Sequence, residues 1–296
     1  MSNGLLSRLY TLGSAALTEV PATAPQSQPA QPENLTMLVV VLAVGTVALV
    51  WWLAPRLMEP RRLRLSDVPP RLNELTIFHI IAPLVPAVFV QLIAMSVAQS
   101  AFSLDVKSAQ GRVVAGLAFQ AGAIAGAIAI AKRAFRAGLQ SGLGLTLGRL
   151  GRDTMAGLLG YLVIMPIVYM MLRVGETFLP EKRHSMLDAL GLLHDGWFWL
   201  VVVSAVVLAP VAEEIFFRGL VQTWLRRHMS AWGALLVTSA AFALMHTSEE
   251  PQTVPALFTL SVALGYVYER TGRLWGSIVL HAVFNGLNIV MFLTGS

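Results

Sequence analysis

Long apolar runs separated by short polar segments dominate the chain. An apolar stretch of about 20 residues is long enough to cross the roughly 30 Å hydrocarbon core of a bilayer as an α-helix. The runs predict spans at residues 35–54, 75–98, 113–131, 154–174, 197–225, 231–248, 254–268 and 274–293. We therefore expect an all-α fold, a polytopic membrane bundle of about eight transmembrane helices.

The composition supports a membrane protein and narrows its chemistry. Of 296 residues, 56% are apolar and 12% are charged, and the mean hydropathy is +0.68, whereas soluble domains carry roughly 25% charged residues. The chain has no cysteine, which excludes disulfides, a thiol nucleophile and thiolate metal sites. The net charge of +5 comes from arginines between the apolar runs, a pattern that favours contact with membrane lipid headgroups over nucleic acid.

The N-terminal segment differs from the rest of the chain. Residues 1–34 include a stretch rich in proline, alanine and glutamine that lacks the apolar content to fold, and we interpret them as a flexible tail. A signal peptide is the competing interpretation, but Arg8 alone before a broken apolar run is a weak match to one. The remaining residues, 35–296, form the predicted transmembrane domain, with a catalytic core at about 154–293.

The distribution of lysine and arginine predicts the orientation in the membrane, because short loops rich in these residues stay in the cytoplasm. The odd-numbered loops are the richer ones, and they contain Arg56, Arg61, Arg62, Arg64, Arg71, Lys132, Arg133, Arg136, Arg149, Arg152, Arg226, Arg227, Arg270 and Arg273. With these loops in the cytoplasm, both termini are predicted to lie outside.

Several glycine pairs are spaced four residues apart, as in helices that approach each other closely. The pairs are Gly122 with Gly126, Gly138 with Gly142, and Gly144 with Gly148. Since none follows a strand with a nucleotide-binding fingerprint, we interpret all three pairs as helix-packing positions.

Ionisable side chains inside apolar spans identify candidate functional positions, because each costs about 2.5–3.5 kcal/mol to insert at the centre of a membrane helix. All the aspartates and most glutamates fall in loops or at helix ends. The exceptions within apolar spans are Glu213, Glu214, Arg218, His246 and His281.

The spacing of these residues predicts that they converge. A turn is expected at Met229 and Ser230, with Ser230 as an N-cap, and Glu213 and His246 lie 16 residues from Met229 and Ser230 respectively. Two antiparallel helices of equal rise would therefore bring Glu213 and His246 to a similar depth, facing each other. Asn285 lies one turn beyond His281 on the same helical face.

A carboxylate, two imidazoles and a carboxamide in a low-dielectric cavity are suited to hydrolysis. The carboxylate can remove a proton from water, and an amide can donate a hydrogen bond to a developing oxyanion. The same side chains could instead bind a divalent metal such as zinc, with Glu213, His246 and His281 as ligands. Glu214 and Arg218, at positions i and i+4, are predicted to form an ion pair that leaves Glu213 available.

Three motifs follow one another along the chain: E-E-x-x-x-R from Glu213 to Arg218, F-x-x-x-H from Phe242 to His246, and H-x-x-x-N from His281 to Asn285. Together they resemble the motifs of the CPBP family of intramembrane proteases, which includes CAAX prenyl endopeptidases and bacteriocin-processing (Abi) proteins. The resemblance covers residues 197–290 and implies that Glu213 activates water with His246, while His281 and Asn285 stabilise the oxyanion. Both metal-dependent and metal-free glutamate mechanisms have been proposed for this family.

The resemblance also suggests the biological setting, with two functional alternatives left open. It implies hydrolysis of a membrane-associated or prenylated peptide or protein, in a bacterial inner membrane. A non-catalytic scaffold or bacteriocin-immunity-type protein is one alternative, and an ion-coupled transporter is another. Three other protease classes are excluded by sequence, because the chain lacks H-E-x-x-H, G-x-S-G and any aspartate within a span.

Overall fold

The structure, a computed structural model, describes residues 32–65, 71–136, 138–180, 195–248 and 250–294. Residues 1–31 of the predicted tail lie outside the described part. Within it we number the α-helices α1 Pro32–Met58, α2 Ile77–Ile81, α3 Leu84–Phe102, α4 Ala109–Ala134, α5 Gly138–Leu143, α6 Leu150–Phe178, α7 Asp195–Val203 continuing to Leu225, α8 Ala231–Met245, α9 Val254–Thr271 and α10 Leu274–Leu293.

The chain is a polytopic helical membrane bundle, as predicted. The described part contains no strand, and a helix occupies each of the eight predicted spans. Six of these helical segments are long and apolar enough to cross a membrane. The other two are α8, which is apolar but has only 15 residues, and α9, an 18-residue helix whose last turn carries Arg270.

Polar caps define the ends of several helices. The Ser230 hydroxyl accepts a hydrogen bond from the backbone N–H of Gly233 at 3.1 Å, which confirms the predicted turn and N-cap before α8. Ser108 caps α4 in the same way through Gly111. Gly272 ends α9 with a φ of 67°, a left-handed conformation that glycine adopts without steric cost.

Two apolar clusters hold the helices around the predicted catalytic residues. One joins α4, α7 and α10 and contains Leu220 and Ile278. The other joins α6, α9 and α10 and contains Leu260 and Leu280. The outer faces of α1 and α3 are apolar as well, with Val47, Trp51 and Phe89 each more than half exposed, as expected for helices that contact lipid chains.

The glycine pairs have different roles. A Cβ atom at Gly122 would lie 2.6 Å from the Pro86 carbonyl oxygen, so this pair permits close packing of α4 against α3 as predicted. The packing prediction is wrong for Gly138 and Gly148, where a Cβ would meet no described atom within 4 Å. Gly138 and Gly144 adopt positive φ angles of 74° and 68°, which are turn conformations.

Helix α7 departs from α-helical geometry on both sides of its two glutamates. Its α-helical pieces Asp195–Val203, Ala209–Glu214 and Thr223–Leu225 are separated by π-helical segments at Ser204–Leu208 and Ile215–Gln222. Pro210 lies directly after the first of these segments. π-Helical insertions are frequent at functional sites because they change the direction in which nearby side chains point.

Candidate active site

The predicted ion pair between Glu214 and Arg218 is present and fully buried. Arg218 Nη1 donates to Glu214 Oε1 at 2.8 Å, and both side chains are 0% exposed. Arg218 Nη2 donates to the Ser261 carbonyl at 3.1 Å and to the Ser261 hydroxyl at 2.8 Å. An opposite charge and additional hydrogen bonds offset part of the cost of burying a charge, so Ser261 of α9 contributes to the stability of the pair on α7.

His281 lies between the two glutamates of α7. Its Nδ1 is 2.9 Å from Glu214 Oε1, and its Nε2 is 3.8 Å from Glu213 Oε2. An ionised carboxylate only accepts hydrogen bonds, so the proton of this contact is on Nδ1 and Nε2 faces Glu213. The His281 side chain is 5% exposed and that of Glu213 is 30% exposed. The first glutamate is therefore the more accessible of the two.

Phe242 connects His246 to the same cluster. Its ring is 1% exposed, and its centroid lies 4.9 Å from that of His246 and 5.8 Å from that of His281. The Arg218 guanidinium carbon lies 5.0 Å from the centre of the Phe242 ring, a cation–π distance. The aromatic residue of the second motif thus packs against residues of the first and third.

His246 is fixed at the end of α8 by a backbone contact. Its Nδ1 lies 2.8 Å from the Phe242 carbonyl oxygen. A carbonyl oxygen only accepts, so Nδ1 carries the proton and Nε2 presents its lone pair. Because His246 is half-buried, this nitrogen is suited to accept a proton or bind a ligand. Its pairing with Glu213 across the cavity stays a prediction.

Asn285 lies one turn beyond His281 on α10, and part of its hydrogen-bonding capacity is used within the protein. Its Nδ2 donates to the Ala205 carbonyl oxygen of α7 at 2.8 Å. An amide nitrogen has two hydrogens, so one further donation is possible from the same group. The predicted oxyanion contact would use that second hydrogen.

The structure brings Glu213, Glu214 and His281 together directly, and two contacts that support them were not predicted from the sequence. The contact between Glu214 and His281 had no sequence signal, because the i and i+4 spacing of Glu214 and Arg218 suggested a closed pair. Ser261 was also missed, since a serine in an apolar helix is common and carries no charge. A survey of uncharged polar residues within spans would have included it.

The predicted metal ligands do not converge on one point in the structure. In the parts of the chain that the structure describes, no three His, Asp or Glu side chains lie close enough together to hold a metal ion. The Nε2 atoms of His246 and His281 and the carboxylate of Glu213 are chemically suitable zinc ligands, but their arrangement here does not form a site. We therefore derive no catalytic step through a metal.

A family comparison matches the part of the chain that carries these residues. Residues 195–287 fit the family described as "Rce1-like: Type II CAAX prenyl endopeptidase Rce1-like". The matched segment is therefore similar to the Rce1-like family. The match spans α7 to α10 and includes all three motifs, which confirms the family assignment suggested by the sequence.

Two curated proteins are similar to parts of this chain. A Lactococcus lactis subsp. cremoris protein described as "UPF0177 protein in abiGi 5'region" is 32% identical over 85 residues, covering 29% of this chain and 35% of the relative. The Bacillus subtilis (strain 168) protein described as "Putative membrane peptidase YdiL" is 24% identical over 112 residues, covering 38% of this chain and 43% of the relative. The chain thus matches less than half of the length of either relative. No solved structure is similar enough to count as a match.

Proposed function

We propose that this protein is an intramembrane endopeptidase in which Glu213 activates the water that attacks a peptide carbonyl. The observation that carries the proposal is the position of His281, held by buried Glu214 through Nδ1 and facing Glu213 through Nε2. A buried carboxylate that orients an imidazole next to a more accessible carboxylate is suited to acid–base chemistry. The Rce1-like family match supports the same reaction class.

The water is bound between two acceptors in this mechanism. Glu213 accepts one hydrogen, and His246 Nε2 accepts the other, because its Nδ1 proton is held by Phe242. As the water oxygen attacks the carbonyl carbon, one proton moves to Glu213. Glu213 then transfers this proton to the departing amide nitrogen, which leaves as an amine and returns Glu213 to its ionised state.

The oxyanion is stabilised from α10. His281 donates from Nε2 in its imidazolium form, in which the Nδ1 hydrogen still binds Glu214. Asn285 contributes the second Nδ2 hydrogen. Donors placed where negative charge develops typically lower the activation free energy by about 3–4 kcal/mol each.

The substrate we propose is a membrane-associated or lipidated peptide. An apolar groove of about 450 Å³ lies between α6, α8 and α9 and is lined in part by Ala243, Leu244, Pro255 and Phe258. Ala243 follows Phe242 in α8, so the groove begins beside the second motif. An apolar side chain or lipid group of a substrate could lie in this groove while the peptide bond reaches Glu213.

We place the protein in a bacterial inner membrane with both termini outside. Its helices identify an integral membrane protein. The proposed orientation comes from the arginine-rich loops, which favour the cytoplasmic side.

The function is tested with purified protein in liposomes and a panel of hydrophobic and lipidated peptides. Mass spectrometry should detect cleavage by the wild-type protein and none by Glu213→Ala. Equal product release by both proteins would refute the assignment. Peptides released from cells that express each protein would identify the natural substrate.

A further inference from the structure

The π-helical segment Ser204–Leu208 leaves one backbone carbonyl of α7 without a donor from its own helix. The N–H of Ala209 donates to the Ser204 carbonyl, five residues earlier, and is therefore no longer available to Ala205. The next residue is Pro210, which has no N–H. The Ala205 carbonyl thus loses the donors that an α-helix and a π-helix would each supply.

Helix α10 supplies the missing donor. Asn285 Nδ2 donates to the Ala205 carbonyl oxygen at 2.8 Å, and Asn285 is one turn from His281. On another side of the same segment, the Ser204 hydroxyl donates to Gln120 Oε1 of α4 at 3.0 Å. The distorted turn is therefore held by polar side chains from two neighbouring helices, and it precedes Glu213 by only two turns.

We infer that Asn285 is a positioning residue that locks the Pro210 distortion of α7 to α10. The bond fixes how far α7 is rotated and shifted relative to α10, and this rotation sets the approach of Glu213 to His281. The role is separate from oxyanion binding, because it uses the other Nδ2 hydrogen and exists without substrate. Its consequence for catalysis rests on the proposed function, whereas the lock itself does not.

Hydrogen exchange measured by mass spectrometry tests the lock without requiring activity. In detergent-solubilised Glu213→Gln protein, adding Asn285→Ala should speed exchange of the amides in residues 204–214 by about tenfold, because a buried carbonyl loses its partner. Asn288→Ala is the matched control, since Asn288 is an exposed residue on the same helix. Unchanged exchange in the Asn285→Ala protein would overturn the inference, whether or not the protein is a protease.

A second variant restores the missing donor by another route. Pro210→Ala returns a backbone N–H to α7, so the Pro210→Ala/Asn285→Ala protein should regain slow exchange in residues 204–214 relative to Asn285→Ala alone. In the active enzyme the double variant should also have a higher kcat than Asn285→Ala, with KM little changed. If the double variant exchanges as fast as Asn285→Ala and gains no kcat, the lock is refuted and Asn285 serves the oxyanion alone.

Discussion

Glu214 and His281 are joined by a 2.9 Å contact between Oε1 and Nδ1, and the same oxygen accepts from Arg218. The second glutamate of the pair therefore has two donors, one on its own helix and one on α10. Its position makes it the group that keeps a proton on His281 Nδ1. Glu213, by contrast, keeps a partly exposed carboxylate for chemistry.

Replacing Glu213 with glutamine should abolish cleavage while leaving the fold intact. Glutamine has the same shape but accepts no proton, and loss of a general base lowers kcat by about 10²–10⁴-fold. Thermal unfolding in detergent should be nearly unchanged because the side chain is 30% exposed. Glu74→Gln is the control, since Glu74 is an exposed partner of Arg136. A Glu213→Gln enzyme with more than a tenth of wild-type kcat would contradict the proposed role.

Glu214→Gln should destabilise the protein more than removal of the whole ion pair. The single change leaves Arg218 buried without its counter-ion, which typically costs about 3–5 kcal/mol, whereas replacing both charges costs less. The free energy of unfolding should therefore be lower for Glu214→Gln than for Glu214→Gln/Arg218→Met. Unfolding in mixed micelles measures this difference. A free energy of unfolding that is lower for the double variant than for Glu214→Gln would show that the two side chains are not coupled.

Ser261→Ala should lower both stability and kcat, whereas Ser277→Ala should affect stability alone. Both serines are fully buried, but Ser261 accepts from the charged Arg218, and Ser277 donates to the Leu264 carbonyl. Hydrogen bonds to charged groups contribute about 1.5–3 kcal/mol, and Arg218 carries the effect to Glu214 and His281. Steady-state kinetics with both variants tests this. An equal kcat for the two would show that Ser261 does not influence the site.

Cleavage should persist in protein freed of metal. Because no three suitable side chains converge among the described residues, water activation is assigned to Glu213 and His246. Activity after chelation, with residual metal measured by elemental analysis, is the test. If chelation stops cleavage and zinc restores it, the metal mechanism replaces the one proposed, with Glu213, His246 and His281 as ligands.

Labelling of single introduced cysteines should report the predicted orientation without background labelling, because the natural chain contains no cysteine. Glu59→Cys, in a predicted cytoplasmic loop, should resist a membrane-impermeant thiol reagent in spheroplasts. Thr247→Cys, in a predicted outer loop, should react. Both side chains are exposed, so accessibility does not distinguish them. The opposite labelling pattern would reverse the topology.

The local features of the fold were predictable from the sequence because they depend on short-range chemistry. Apolar length identified the eight helical segments, and Ser230 marked the start of α8 through its own side chain. The spacing of glycines, by contrast, does not determine their structural role. Gly122 lies between packed helices, whereas Gly138 begins α5 with a positive φ, although the spacing of their pairs is identical.

The sequence by itself determined the membrane-spanning helical fold, the family motifs and the candidate residues Glu213, His246, His281 and Asn285. These follow from hydropathy, from the cost of burying charge and from the order of the motifs along the chain. Only the tertiary structure decided which partner each residue has: Glu214 holds His281, Ser261 holds Arg218, and Asn285 binds the Ala205 carbonyl beside Pro210. These contacts join different helices, and the relative rotation of packed helices depends on the whole bundle, which no local pattern specifies.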